Sequence, residues 1–390
     1  MNDGLLGRLI DFVRAEYGAQ GSIPLHGPTF AGCEREYIVD CIDSTFVSSV
    51  GQYVGRFEHE IADYTRSNGA VATVNGTAAL HIALLLAGVQ PGDRVITQPL
   101  TFVGTVNAIA YCGAAPVFVD VDRRTLGMSP RALSEWLESN AFIDDTGTCR
   151  TRDGNNAIRA CLPMHTFGHP AEVDTLVAVS KAWKVELVED AAESMGSFYR
   201  QRHTGTFGAI GTLSFNGNKV LTTGSGGMIL CRDPDLAAHA KHLTTTAKRA
   251  HSFEFFHDEL GYNYRLPNIN AALGCAQLQQ LENFIAAKRA LAARYATLLA
   301  GSEYQFFTEA EDRRSNYWLN AVICEDRAAR DSLLKQTNER GVGTRPVWKL
   351  MHHLPMYAQC VRGDVSNAEW LESRIVNLPS SVPVREVARA

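Results

Sequence analysis

Between residues 70 and 190 the chain alternates, with little interruption, between short β-prone runs and helical stretches of about ten residues. The β-prone runs are 70–74 (AVATV), 94–98 (RVITQ), 116–121 (PVFVDV), 160–164 (ACLPM) and 185–189 (VELVE). Helical periodicity follows each of the first four, at 78–88, 101–112, 131–139 and 173–183. Short buried strands joined by helices imply an α/β fold around a mostly parallel sheet, because parallel neighbours need crossover connections. Residues 140–156, polar and holding Asp-Asp-Thr-Gly and Asp-Gly, are expected to form an exposed excursion. Past Met195 the runs shorten, and hairpins are expected before a strand at 227–231.

Other segments divide the chain. Leu5, Leu6, Leu9, Ile10 and Val13 recur at helical spacing in a leading helix, and 34–44 and 54–65 read as two further helices. Pro267 is placed to open a long helix reaching about Leu299, a length suited to bridging two domains. Beyond it, 318–324, 327–340 and 342–347 read as a smaller α+β unit. The expected division is a helical extension at 1–22, a large α/β domain at 23–265, and the bridging helix with a small α+β domain at 266–390.

Charge and cysteine content exclude several classes. A formal net charge of -5 offers no polybasic surface for nucleic acid. Nine scattered cysteines without a C-x-x-C pair fit reduced thiols better than a disulfide framework or a zinc site. His165 and His169 have H-x-x-x-H spacing but no third ligand, so they are read as hydrogen-bonding loop residues, and no metal is expected. The N-terminus lacks the pattern of a signal peptide, and the apolar run 78–89 is too short to cross a bilayer. A cytoplasmic protein without a membrane partner is expected.

Four stretches could carry chemistry. Lys219 follows Ser214 by five residues and precedes a glycine-rich run; in a pocket its amine would be desolvated and nucleophilic toward an aldehyde. Asn75-Gly76-Thr77 stands where a strand gives way to a helix, a junction suited to phosphate. Glu189 and Asp190 close an apolar strand, where ligands of α/β proteins bind. Phe102 follows another strand and could wall a planar ligand. Singly, each has an ordinary reading: a solvated lysine, a capped helix, an exposed acid, a core aromatic. Together they are the parts needed to hold pyridoxal phosphate, with a phosphate cradle, an aromatic wall, an acid for the ring nitrogen and an imine-forming lysine.

The segments NGTAALHIALLLAGVQPGDRVI, QPLTFVGTVNAI, GAAPVFVDVD, MHTFGHPAEVD, VEDAAESMGS, GTFGAIGTLSFNGNKVLTTGSGGM and GYNYRLPNINAALGCAQL carry a resemblance running from about Ile23 to the last residues. In them the chain resembles the DegT/StrS-type nucleotide-sugar aminotransferases of the fold-type I pyridoxal phosphate (PLP) enzymes. The resemblance implies the PLP-dependent transferase (aspartate aminotransferase-like) fold. It implies Lys219 as the Schiff-base lysine, Asp190 as partner of the pyridinium nitrogen, Phe102 stacking on the ring, and Gly76, Thr77 and Ser214 on the phosphate. Asn263 matches the residue that reaches the neighbouring subunit's phosphate, which implies a homodimer with shared sites. Glu193 stands where many relatives carry Gln or His facing the cofactor's phenolic oxygen, so a carboxylate there must share a proton or bond through other groups. Lys219 argues against the members that carry histidine instead and dehydrate sugars.

Residues 344–349 and 351–357 resemble the substrate-facing segment, which makes Arg345, Lys349 and His352 candidates for a nucleotide diphosphate. The implied reaction is ping-pong, with an amino acid donor, L-glutamate, and a nucleotide-linked keto-deoxyhexose as acceptor. DSTFVSSVGQYV and TRPVWKLMHHLPMY resemble the branch that aminates C4 of UDP-4-keto-6-deoxy-N-acetylhexosamines for bacillosamine- or legionaminic-type surface sugars. A 3-amino-sugar or aminocyclitol transaminase, and a non-catalytic PLP-binding regulatory protein, remain as alternatives.

Overall fold

Adjacent apolar residues along the central strands need covering on opposite faces, and the computed structural model shows helices covering both. It describes residues 3–18 and 21–383; the ends of the first and last expected segments lie outside them. Seven strands form the main sheet: β1 (Gly69–Thr73), β2 (Arg94–Thr97), β3 (Ala115–Phe118), β4 (Ile158–Leu162), β5 (Glu186–Asp190), β6 (Ile210–Ser214) and β7 (Gly227–Cys231). Their spatial order is β1-β7-β6-β5-β4-β2-β3, and β7 alone runs against the others.

Val95, Leu162 and Val188 join one apolar cluster with Ile82 and Ile109 of the helices Gly76–Leu86 and Val103–Tyr111. Their chain neighbours Ile96, Cys161 and Leu187 join a second, with Leu133 and Leu176 of the helices Pro130–Asn140 and Val173–Ala182. The period-2 alternation of a strand therefore feeds two cores, one on each side of the sheet. One glycine is required by close approach. Gly227 pairs with both Thr73 and Ser214, and a Cβ on it would lie 2.5 Å from the Asn75 carbonyl oxygen.

Residues 140–156 depart from expectation. Strands Ala141–Ile143 and Cys149–Thr151 pair as a hairpin whose Ala141, Cys149 and Thr151 are buried, so packing claims part of this polar segment. The long helix runs Asn268–Leu299, with Pro267 as its cap and not inside its first turn. A four-stranded antiparallel sheet follows, in the order Gln305–Phe306, Asn320–Ile323, Ile375–Leu378, Arg345–Pro346.

The leading helix, Asp3–Tyr17, packs on its own chain. Leu5, Leu6, Leu9, Ile10 and Val13 are buried with Leu291 and Tyr295 of the long helix and Val322 and Val376 of the small sheet. Burying such side chains contributes about 1.5–3 kcal/mol each, so this contact is a substantial part of that core.

Candidate active site

The C-terminal ends of β2, β4, β5 and β6, with the turn after β1, converge on one cavity of about 300 Å³. Its lining includes Gly76, Thr77, Phe102, Asp190, Glu193, Ser214 and Lys219. A larger cavity, about 710 Å³, is a polar groove around Asp122, Arg124 and Arg131 and contains none of the expected site residues.

Lys219 follows β6 on a turn closed by its own N–H donating to the Asn216 carbonyl at 2.9 Å. Its side chain is only 13% exposed, so the solvated reading does not describe it. Nζ lies 3.4 Å from Glu193 Oε1 and 3.8 Å from the centre of the Trp318 ring. Trp318 is held in turn by Nε1 donating to the Asn218 carbonyl at 2.6 Å. An aromatic face stabilises an ammonium, and more so where water is excluded.

Asp190 ends β5. Its Oδ2 accepts from Thr105 Oγ1 at 2.7 Å and its Oδ1 from the Ala192 N–H at 3.1 Å. Burial raises its proton affinity, against the opposing pull of those two donors and of the Lys219 charge. Glu189, beside it, points to the opposite face by strand alternation. There it accepts from the N–H groups of Gly205, Phe207 and Gly208 and from His165 Nε2. His165 Nδ1 accepts from the Ala171 N–H at 3.1 Å, which leaves Nε2 carrying the proton given to Glu189. His165 thus hydrogen-bonds as expected. His169 does not: its ring is buried edge-on to Phe307 and Tyr317, and burial pushes its pKa down to about 3.

The phosphate-type junction opens the helix Gly76–Leu86, whose cap is Asn75 Oδ1 accepting from the Ala78 N–H at 2.8 Å. Ser214 closes on it, since a Cβ on Gly76 would lie 2.9 Å from Ser214 Cβ. Phe102 caps the helix Val103–Tyr111 and is not a member of it. Released from helical geometry, Phe102 is 50% exposed, and its ring stands edge-on to Trp348, 6.3 Å between centres.

Glu193 Oε2 accepts from the Phe167 N–H at 2.8 Å. Burial pushes its pKa up to about 7, against the opposing Lys219 charge. Between the unfolded carboxyl's pKa and about 7 the folded state holds a proton that the unfolded state releases, so stability falls as pH rises. Glu193→Gln keeps a donor and has no charge to bury. In cofactor-free protein its melting temperature should move above wild type between pH 5 and pH 8, by a margin on the order of 2–3 kcal/mol of stability. A gap that stays constant over this range would show that the carboxyl is unshifted.

A second chamber, about 520 Å³, shares Asn218, Trp318 and Trp348 with the first. His26, Arg330, Arg345, Lys349 and Glu372 line it. Arg345 donates to Asn338 Oδ1 at 2.9 Å, and Lys349 Nζ to Glu372 Oε1 at 2.8 Å. His352 lines neither chamber; it is buried next to Phe118. Asn263 is exposed outside both chambers, its Oδ1 accepting from Arg265. Trp318, Thr105 and Met164 were not anticipated as lining residues, and Trp348 was expected only as part of the substrate-facing segment 344–349. Thr105 could have been found, since it follows Phe102 by one helical turn; Trp318, more than 90 residues past Lys219, carried no local signal.

The residues present fit pyridoxal phosphate. Asp190 is a buried carboxylate with hydrogen bonds but no cation among its hydrogen-bonding partners, as a protonated ring nitrogen requires. Lys219 opens into the same cavity, and a helix N-terminus with two hydroxyls nearby suits a phosphate.

Comparison with known proteins identifies the family. The sequence profile of the DegT/DnrJ/EryC1/StrS aminotransferase family matches residues 29–387. The chain is similar to the GDP-perosamine synthase of Escherichia coli O157:H7, 37% identical over 92% of this chain and 93% of that one. It is similar to the GDP-perosamine synthase of Caulobacter vibrioides, 35% identical over 93% and 94%. Among solved structures, the aminotransferase TlmJ from Streptoalloteichus hindustanus superposes with a TM-score of 0.82 at 28% identity, covering 92% of this chain and 93% of its own. The chain belongs to the DegT/DnrJ/EryC1/StrS aminotransferase family and is a PLP-dependent sugar aminotransferase.

Proposed function

We propose that this enzyme moves an amino group from L-glutamate to C4 of a nucleotide-linked 4-keto-6-deoxyhexose. The observation that carries the reading is Lys219 and Asp190 lining one cavity, with a second, cation-lined chamber adjoining it. When bound, pyridoxal phosphate supplies an aldehyde and an electron sink. Lys219 Nζ anchors the cofactor, and when displaced by substrate it carries the proton between the donor's Cα and the cofactor. Asp190 keeps the ring nitrogen protonated, Phe102 covers the ring, and Gly76, Thr77 and Ser214 receive the phosphate. Glu193 in its protonated form can donate to the phenolic oxygen as a glutamine would, which accounts for a carboxylate at that position. Arg345 and Lys349 are suited to the diphosphate.

The nucleotide is where the expectation shifts. The segments at 43–54 and 344–357 favoured a UDP-linked N-acetylhexosamine, whereas both curated relatives described above are named for GDP-perosamine. The GDP-linked acceptor is accordingly the leading reading and the UDP-linked one the second. Purified enzyme with L-glutamate, offered GDP- and UDP-linked 4-keto-6-deoxy sugars, should release 2-oxoglutarate fastest with the GDP sugar, and NMR should place the new amine at C4. Faster turnover of the UDP sugar would favour the second reading, and amination at C3 or of a cyclitol would overturn both. Failure of glutamate alone to convert the cofactor to its amine form would favour a regulatory protein.

We also propose a homodimer in the cytoplasm. Phe253, Phe255, Phe256 and Leu260 are exposed in and beside the hairpin of Lys248–Arg249 with Phe256–His257, a few residues before Asn263. So apolar a projection suits burial against a second copy. Sedimentation should give twice the 42.7 kDa chain mass, and Phe253→Asp with Phe255→Asp should shift it toward monomer. A wild-type monomer at micromolar concentration counts against this assembly. All nine cysteines are free, as a reducing compartment allows, and among the described residues no helix is long and apolar enough to cross a membrane. Cell fractionation that recovered the protein outside the cytoplasm would overturn that placement.

A further inference from the structure

We propose that His352, His353 and Glu369 form a binding site for a transition-metal cation of the Zn²⁺ type. The short turn Met351–His353 and the helix Ser366–Glu372 bring one ligand atom from each of the three within 4.8 Å of the others. His352 is the telling member. It is 6% exposed, yet neither ring nitrogen has a hydrogen-bond partner. A buried polar group left unpaired costs about 1–3 kcal/mol, so an imidazole in this position is poised for a ligand.

The spacing identifies the ligand's kind. His352 Nε2 lies 3.6 Å from Glu369 Oε1, too far for a hydrogen bond. A tetrahedral ion with bonds of about 2.0–2.2 Å holds its ligands about 3.3–3.5 Å apart, so a small inward shift of the exposed Glu369 side chain seats one between them. The His352 and His353 rings, with centres 4.2 Å apart, are inclined at 64°, so they do not stack. Two imidazoles and one carboxylate select Zn²⁺, Co²⁺ or Ni²⁺ over the oxygen-seeking Mg²⁺ and Ca²⁺. His353 and Glu369 are exposed, which leaves a fourth position to water. The Arg362 charge acts on the same imidazole and opposes a cation, so the expected affinity is micromolar, not tighter. This departs from the expectation of no metal, which rested on the cysteines and on His165 and His169.

The position gives the ion a consequence. Glu369 lies one turn before Glu372, which holds Lys349 Nζ at 2.8 Å in the wall of the second chamber. Lys349 itself immediately precedes the segment that carries His352 and His353. A cation would tie the two walls of that chamber together, away from Lys219. A second group, His242, Asp258 and Glu259, is a built-in contrast. There His242 already bonds Asp258 at 2.6 Å and Arg249 neutralises the same carboxylate, so its ligands are engaged.

Zn²⁺ titrated into the holoenzyme against a chromophoric chelator tests the site. One ion per chain should bind at micromolar concentration, and Co²⁺ in its place should give the visible absorption of a four-coordinate ion. His353→Ala and Glu369→Gln, both at exposed positions, should each weaken binding by at least about tenfold, since loss of even an outer-shell partner costs 10–100-fold. His242→Ala should leave it unchanged. The proposal is overturned if no ion binds more tightly than about 100 µM on this affinity scale, if both substitutions leave binding intact, or if His242→Ala removes it.

Discussion

Lys219→Ala should abolish transamination, lowering turnover by roughly 10³-fold or more, because in the role proposed for it Lys219 is both the covalent anchor and the group that moves the proton. The variant should fold normally. Lys219 makes one long contact to Glu193 and one to the face of Trp318, which is packed in the core by its own neighbours. Losing the ammonium should raise the proton affinity of Glu193 further, since the Lys219 charge is what now lowers it. The absorbance band of covalently held cofactor should vanish while far-ultraviolet circular dichroism stays as in wild type. A retained band would assign the anchor to another lysine. Lys288 is the natural contrast: it is fully buried, with burial pushing its pKa down to about 7, but it bonds His26 and the carbonyls of Trp318 and Ser380 and lies outside the cavity.

Asp190→Asn should retain the fold and much of the cofactor affinity while losing about 10²–10³-fold in turnover, the usual scale for removing one preorganised electrostatic partner. The amide oxygen can still accept from the Ala192 N–H, and the amide NH2 can donate to Thr105 Oγ1 once that hydroxyl turns, so local geometry is largely kept. What disappears is the negative charge proposed to hold a proton on the ring nitrogen. The loss should fall on kcat, with the KM for glutamate little changed, because the charge acts on the reacting electrons and not on the amino acid's carboxylate. Near-normal kcat would remove Asp190 from this role. Thr105→Val, which strips one hydrogen bond and keeps the charge, should show a smaller defect in the same direction.

The two acids at the end of β5 show how far local pattern reaches. Glu189 and Asp190 are adjacent, equally acidic and follow the same apolar run, and strand alternation says only that they face opposite ways. Which of them meets the cavity depends on where β5 sits between β4 and β6. Asp190 shares the face of the helix Val103–Tyr111, which supplies Thr105, while Glu189 is taken up by three backbone N–H groups and His165. The strand-end position marked Asp190 as able to hold a heterocycle nitrogen protonated and the resemblance implied the same role; periodicity alone could not choose between the two acids. Phe102 is similar: the apolar pattern placed it within a helix, and its capping position is what frees the ring toward the cavity.

What the sequence determined alone is short-ranged. The α/β alternation, the long helix after Pro267, the strand-to-helix junction at Gly76 and the turn that carries Lys219 past Ser214 are written in the identities of neighbouring residues, because hydrophobic period and backbone stereochemistry act over one or two turns of chain. Tertiary structure decided what depends on register and packing between distant segments. It set Trp318 under the Lys219 amine and Trp348 beside Phe102, it buried the leading helix against the small sheet, and it withdrew His352 from the second chamber. Those contacts join residues about a hundred or more positions apart, where no local propensity acts and only the complementarity of the assembled surfaces selects the partner.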